Sequence, residues 1–265
     1  MATVKDIYQF LDEIAPFDTQ EEFDNAGFLV GRGGRGVKKI MVALDVTLEV
    51  ADEADRLGAD LIVAHHPVIF HPVKSVTDET LTGRVLIGLL ERGVAAICAH
   101  TNLDAAHGGV NGCLARTLEL LDIGQLHQAG VDAQGRPYGI GRVGTVHQSG
   151  LNAAEYALFV KEKLESSSVR FVDGGKPVSR VAVGGGACGS MLEDAVAAGC
   201  DTFVTADLRY NQFLDARALE LNLLDAGHFP TEHVVCAPLA VRLRAAFPKV
   251  EVLVSKVHRE VYGSV

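Results

Sequence analysis

Three short apolar runs in this 265-residue chain each lead into a histidine, and that repeated ending constrains the fold more than any other feature. Asp60 to Ala64 runs into His65-His66, and Val94 to Ala99 into His100 with Asp104 four residues on. Leu221 to Leu224 runs, past a short turn, into His228 with Glu232 four residues on. Such runs read as strands, and as neighbours in one parallel sheet their carboxyl ends would converge on a crevice, where open α/β sheets place ligands. Neutral imidazole together with carboxylate suits zinc, manganese, iron, cobalt or nickel, and two carboxylates can bridge a pair of ions. The pattern reads as a two-metal hydrolytic site.

The rest of the chain supports an α/β fold with an internal duplication. Ile7, Phe10, Leu11 and Ile14 recur at helical spacing after a cap at Thr3, and Pro16 stops the segment. A strand at Lys39 to Leu44, a helix at about Leu48 to Leu57 and the strand Asp60 to Ala64 make a β-α-β unit. The second half repeats it with strand Arg180 to Val183, helix Met191 to Ala198 and strand Thr202 to Ala206. Gly58-Ala59-Asp60 lines up with Gly199-Cys200-Asp201, and His100-x-x-x-Asp104 with His228-x-x-x-Glu232, each followed by a helix. This gives a first repeat over residues 1–126, a glycine-rich connecting region over 127–176 with strands and one helix, and a second repeat over 177–265.

Composition narrows the classes of function. A formal charge of −10 works against a protein that neutralises many phosphates, so a nucleic-acid partner is not expected. Five cysteines without a C-x-x-C pair point to reduced thiols and the cytoplasm. The N-terminus carries Lys5, Asp6, Asp12 and Glu13, unlike a signal peptide, and no stretch is apolar enough to span a membrane. A hydrophobic share of 48% suits a chain that covers some apolar surface by association with itself.

Side-chain chemistry sharpens the site. In a strand, His65 and His66 would face opposite ways, but Pro67 ends the strand and lets both rings turn to one crevice. Pro230 suits a first helical turn, and His228 and Glu232, four apart, share a helical face. Asp104 reads as a ligand, while His100 is a ligand, a proton shuttle or an orienter of the water at the metal. His71, His107, His127, His147, His233 and His258 read as exposed loop residues. Gly184-x-Gly186-x-x-Gly189 matches the dinucleotide fingerprint formally, with Asp207 some way on. A backbone nest for an anion near the metals is the better reading of that loop.

These residues resemble a known family, the NGG-one-interacting-factor-three-like dinuclear-metal proteins, called GTP cyclohydrolase type 2 homologues in bacteria. The carriers are Glu21-Glu22-Phe23-Asp24-Asn25-Ala26-Gly27, Ala64-His65-His66-Pro67-Val68-Ile69-Phe70, Thr101-Asn102-Leu103-Asp104, Thr205-Ala206-Asp207, and Asp225-Ala226-Gly227-His228 with Glu232. The resemblance implies two intertwined α/β repeats with mixed sheets flanked by helices and a ring-shaped homohexamer. It also implies two divalent metals on His65, His66, Asp104, His228 and Glu232, with Glu232 as the bridge. Arg209-Tyr210-Asn211 departs from the residues that many relatives have after Asp207. The readings carried forward are a metal-dependent hydrolase of a small molecule, with His100 as its catalytic group, or a non-catalytic metal-binding or regulatory hexameric assembly.

Overall fold

The structure, a computed structural model, describes residues 1–133, 135–147 and 150–264. Gln134, Gln148 and Ser149 of the expected connecting region, and Val265, lie outside the described residues. The chain begins with α1 (Val4–Ile14), β1 (Gly27–Val30), β2 (Lys39–Ala43), α2 (Leu48–Arg56), β3 (Leu61–Ala64), α3 (Leu81–Arg92) and β4 (Ala95–Cys98). It continues through α4 (Thr101–Ala105), α5 (Val110–Thr117), β5 (Leu121–Gln125), β6 (Gly130–Val131), β7 (Pro137–Tyr138), β8 (Arg142–Thr145), α6 (Ala153–Lys163) and β9 (Arg170–Val172). Then follow β10 (Arg180–Val183), α7 (Leu192–Ala197), β11 (Thr202–Thr205), α8 (Tyr210–Ala218), β12 (Asn222–Asp225), α9 (His228–His233), α10 (Cys236–Ala246) and β13 (Glu251–Val254).

Contacts divide the chain into two compact units. One is Met1–Leu103 with Cys236–Arg259, and the other is Asp104–Val235 with the tail from Glu260. This differs from the serial division at residues 126 and 176: the stretch from 104 to 176 lies in the second unit, and the late elements α10 and β13 return to the first. Backbone pairing of β13 with β2 causes the return, and a strand's own sequence does not say which edge it will join.

The first unit carries a five-stranded sheet in the order β1-β4-β3-β2-β13. All its pairings are parallel except that of β1 with β4. Strands β2, β3 and β4 are buried and rich in β-branched Ile40, Val42, Ile62, Val63 and Ile97, as expected of a sheet covered on both faces. Register sets Ala43 beside Ala64 and Ala64 beside Cys98, so the strands finish level and His65 and His100 emerge from one edge. Val50, Ala51 and Ala54 of α2 and Leu86 and Leu89 of α3 pack on Met41, Ile62 and Ala96. Each large side chain so buried contributes roughly 1.5–3 kcal/mol. Helix α1 starts from a capping box in which Thr3 and Asp6 satisfy each other's backbone amides, and it buries Val4, Ile7 and Leu11.

The second unit carries a six-stranded sheet in the order β5-β8-β10-β11-β12-β9, parallel through β10, β11 and β12 and antiparallel elsewhere. Strand β12, expected as a neighbour of β3 and β4, therefore belongs to a different sheet. Its burial pattern matches theirs, and only its partners, β11 and β9, distinguish it. The α/β class with mixed sheets flanked by helices holds.

One local device occurs in each unit. Asp60 accepts the amides of Lys38 and Lys39 while its own N–H bonds Lys39 O. Asp201 does the same with Ser179, Arg180 and Arg180 O. Both acids follow a helix closed by a left-handed glycine, Gly58 at φ +70° and Gly199 at φ +71°. Each brace ties the loop after a helix to the start of the preceding strand and fixes the register of a β-α-β turn.

Candidate metal centre

At the end of β3 the amides of His65 and His66 both donate to Leu44 O, at 3.0 and 2.9 Å. Two successive amides on one carbonyl break the strand alternation, and so both rings lie on the same side. His100, following β4, joins them. The three ring centroids are 5.0, 5.1 and 5.5 Å apart, and one ring nitrogen from each lies within 4.8 Å of the others.

Each imidazole is held through Nδ1. His65 donates to Ala99 O at 2.8 Å, His66 to Asp45 Oδ1 at 2.8 Å, and His100 to Asp24 Oδ1 at 2.7 Å. With the proton on Nδ1, a neutral ring carries its lone pair on Nε2, which is the arrangement typical of histidines that bind metals. The donor set fits borderline divalent ions such as zinc better than magnesium or calcium, which prefer oxygen.

The carboxylates behind these rings are themselves held. Burial raises the Asp24 carboxyl, but bonds from His100 and from the Thr101 hydroxyl and amide outweigh it and bring the group down to about 2. Asp45 is likewise raised by burial, yet its bonds to His258 and His66 hold it well below the usual carboxylate range. Both acids are therefore anionic acceptors at neutral pH. The Glu21–Gly27 segment that brings Asp24 here is pinned by Glu21 N–H on Thr101 Oγ1 and by Asn25 Nδ2 on Ile69 O, at 2.9 and 2.6 Å.

In the second unit, α9 starts after Gly227 at φ +90° and presents His228 Nε2 3.0 Å from Glu232 Oε2. Asp207, at the left-handed φ of +53°, receives His228 Nδ1 at 2.7 Å. Glu232 is buried against the loop after β10. A Cβ on Gly186 would stand 2.1 Å from Glu232 Oε1, and one on Gly185 would meet Glu232 Cγ at 3.4 Å. Asn111 accepts the Gly185 amide and donates to the Asp104 carbonyl, at 2.8 and 3.0 Å, tying Asp104 to the same loop. Asp104 is 7% exposed and Glu232 3%. Burial first, then these two charges, push the Cys188 thiol far above its ordinary value.

This packing overturns both earlier readings of the glycine loop. The amides of Gly184, Gly185, Gly186 and Cys188 already donate to Val204 O, Asn111 Oδ1, Thr231 Oγ1 and Thr205 Oγ1. Those amides are not available to a pyrophosphate or another anion. The glycines are there because Glu232, Cys188 and Gln212 approach too closely for side chains.

Of the residues expected from sequence, His65, His66 and His100 meet in the first unit, and Asp104, His228 and Glu232 gather about one loop in the second. Asp24, Asp45, Asp207 and Asn111 were not singled out as supports. Asp45 stands two residues after β2, which ends level with β3, and that position is the signal that could have found it. His258, expected as an exposed loop residue, is instead 6% exposed in its side chain and lies 2.8 Å from Asp45 Oδ2. Cysteine chemistry has no support: burial pushes the Cys98 thiol up to about 12 and Cys200 up to about 11. Among the described residues, no helix is long and apolar enough to cross a membrane.

Known proteins resemble this chain over nearly its whole length. The chain is 32% identical over 255 residues to a GTP cyclohydrolase 1 type 2 homolog of Clostridium perfringens, covering 96% of each. It is 36% identical over 247 residues to one of Streptomyces coelicolor, covering 92% of this chain and 86% of that one. A crystal structure of a Staphylococcus aureus hypothetical protein matches with a TM-score of 0.93 at 29% identity over 99% of both chains. Reduced HcgD from Methanocaldococcus jannaschii matches at 0.79 and 27% identity, over 96% of this chain and 98% of that one. The profile of one family covers residues 2–260, and the chain belongs to that family, Duf34/NIF3 (NGG1p interacting factor 3).

Proposed function

We propose that this protein is a dinuclear divalent-metal hydrolase whose ions are held by His65, His66, Asp104, His228 and Glu232. The observation that carries the reading is the set of imidazoles each anchored through Nδ1, three of them converging in the first unit. Bound zinc, iron, manganese, cobalt or nickel would supply Lewis acidity, polarising a scissile group and acidifying water. His100, backed by Asp24, is the catalytic group that accepts or returns a proton at Nε2. The carboxylate behind it keeps the ring in the tautomer that leaves the lone pair on Nε2.

A pocket of about 400 Å³ adjoins His66 and narrows the substrate. Its walls include Leu48, Val68, Leu81 and Val85, its acids are Asp45 and Glu49, and among the described residues no lysine or arginine lines it. Such walls take an uncharged or weakly cationic ring and repel a triphosphate. The relatives' cyclohydrolase names speak of a ring bond opened by water, and a small cyclic amide or N-heterocycle satisfies both constraints.

We further propose a cytoplasmic homohexamer built on a duplicated α/β unit. Exposed apolar residues such as Leu158 and Val241 support self-association, and the matched Asp60 and Asp201 braces support the duplication. The test is turnover by metal-loaded protein of uncharged cyclic amides and N-heterocycles, with GTP in parallel. Hydrolysis is expected with the uncharged class and is lost, together with bound metal, in His66→Ala and Glu232→Ala. Full metal content in both folded variants refutes the ligand set. Tight reversible metal exchange with no turnover of any class favours the non-catalytic assembly.

A further inference from the structure

Nothing in the sequence pattern gives the segment after β13 a part in the site, yet it is built into the first unit with unusual care. Buried Glu53 of α2 accepts Ser255 Oγ–H at 2.6 Å and the Lys256 amide at 3.2 Å. Ser255 Oγ in turn accepts the His258 amide at 3.3 Å. The effect is to fix a tight turn that places His258 Nε2 2.8 Å from Asp45 Oδ2, while the other oxygen of Asp45 takes His66 Nδ1–H at the same distance. The Asp45 amide also points at His258 Nε2, at 3.3 Å. The shorter carboxylate contact makes Nε2 the donor. One carboxylate is thus gripped from both sides by imidazoles that lie 192 positions apart in sequence, and a buried acid anchors the outer one.

We propose that His258 is a positioning residue for the metal centre: by holding Asp45, it fixes His66 as the Nδ1–H tautomer and aims Nε2 of that ring at the ion. The link to metal rests on the ligand reading given above, whereas the tautomer does not. With Asp45 held at one oxygen only, its carboxylate can rotate away from His66, and the ring then samples other orientations. An outer partner of this kind contributes about 10- to 100-fold to metal affinity.

Two measurements test it. In metal-free, 15N-labelled protein, long-range proton–nitrogen correlation spectra are expected to show His66 as the Nδ1–H tautomer. His258→Ala mixes the tautomers, and His258→Gln, whose amide can donate to Asp45 in the same place, restores the wild-type pattern. A wild-type His66 protonated on Nε2, or a pattern indifferent to His258→Ala, overturns the proposal without any variant having to bind metal. Zinc affinity by chelator competition is expected to fall about 10-fold or more in His258→Ala. That loss is expected to vanish in an Asp45→Ala background, because the two act through one carboxylate. An equal loss in both backgrounds overturns the relay through Asp45. Wild-type protein that takes up no zinc overturns the metal reading and the affinity claim, and the tautomer spectra then decide the orientation of His66 separately.

Discussion

Gly186→Ala is expected to separate metal binding from stability, with Gly199→Ala as its control. Both glycines lie in the left-handed region, at φ +66° and +71°, so alanine costs about 1–2 kcal/mol of backbone strain at either place. That strain lowers the melting temperature by a few degrees in a protein of this size. The surroundings differ. Around Gly199 a new Cβ meets nothing within 4 Å, whereas at Gly186 it stands 2.1 Å from Glu232 Oε1 and 3.2 Å from His228 Cε1. The carboxylate must retreat by about 0.9 Å to reach even the 3.0 Å floor of real contacts, and metal ligation tolerates only about 0.2 Å. Because Glu232 can swing aside, the clash is relieved cheaply in folding energy, and the loss falls on the ligand. Zinc affinity by chelator competition should drop about 100-fold in Gly186→Ala and stay at the wild-type value in Gly199→Ala, with similar urea midpoints. Equal affinities in the two variants would refute the placement of Glu232 as a ligand against this loop.

Other expectations concern the scaffold. In metal-free protein, Asp24→Asn should cost about 2 kcal/mol at pH 7. Because the folded carboxyl lies near 2, below its unfolded value, that stability is present above pH 4 and is lost as pH falls toward 2; a constant difference in urea unfolding across pH 2–7 would contradict it. Arg142 is buried and donates to the carbonyls of Gly139, Gly141, Ala105 and Ala106, with burial bringing its guanidinium down to about 10. Arg142→Met strands those acceptors and should cost at least about 3 kcal/mol by urea titration at constant m-value. Thr3→Ala removes one half of a capping box and should cost about 1 kcal/mol with no change in metal content.

The strand ends were legible because hydrophobic runs, a proline and a histidine are local signals. His65-His66-Pro67 and His228-x-x-x-Glu232 needed only strand and helix periodicity to be placed. What supports them was not local. Asp24 reaches His100 across 76 positions and Asp45 reaches His258 across 213, and a carboxylate on a loop looks the same in sequence whether it faces water or an imidazole. The sheet that β12 joins is hidden from the sequence for a related reason. A buried strand declares its burial, but its neighbours are chosen by backbone hydrogen bonds that any sequence can make. The glycine loop misled because glycine marks a close approach without saying by what, and here the approaching atoms are those of Glu232, Cys188 and Gln212.

The late return of β13 has a consequence for synthesis. As the chain leaves the ribosome, β2 is made early, yet its partner on that side begins at Glu251, 153 positions after β4 ends at Cys98. At roughly 5–20 residues per second, that is a wait of about 8–30 s. During it, the apolar edge of Ile40, Met41 and Val42 is open to any other nascent strand. The six-stranded sheet of the second unit lies wholly within the continuous segment from Asp104 to Val235 and suffers no such delay, so the newborn polypeptide has every strand of that sheet before it has the last strand of the other.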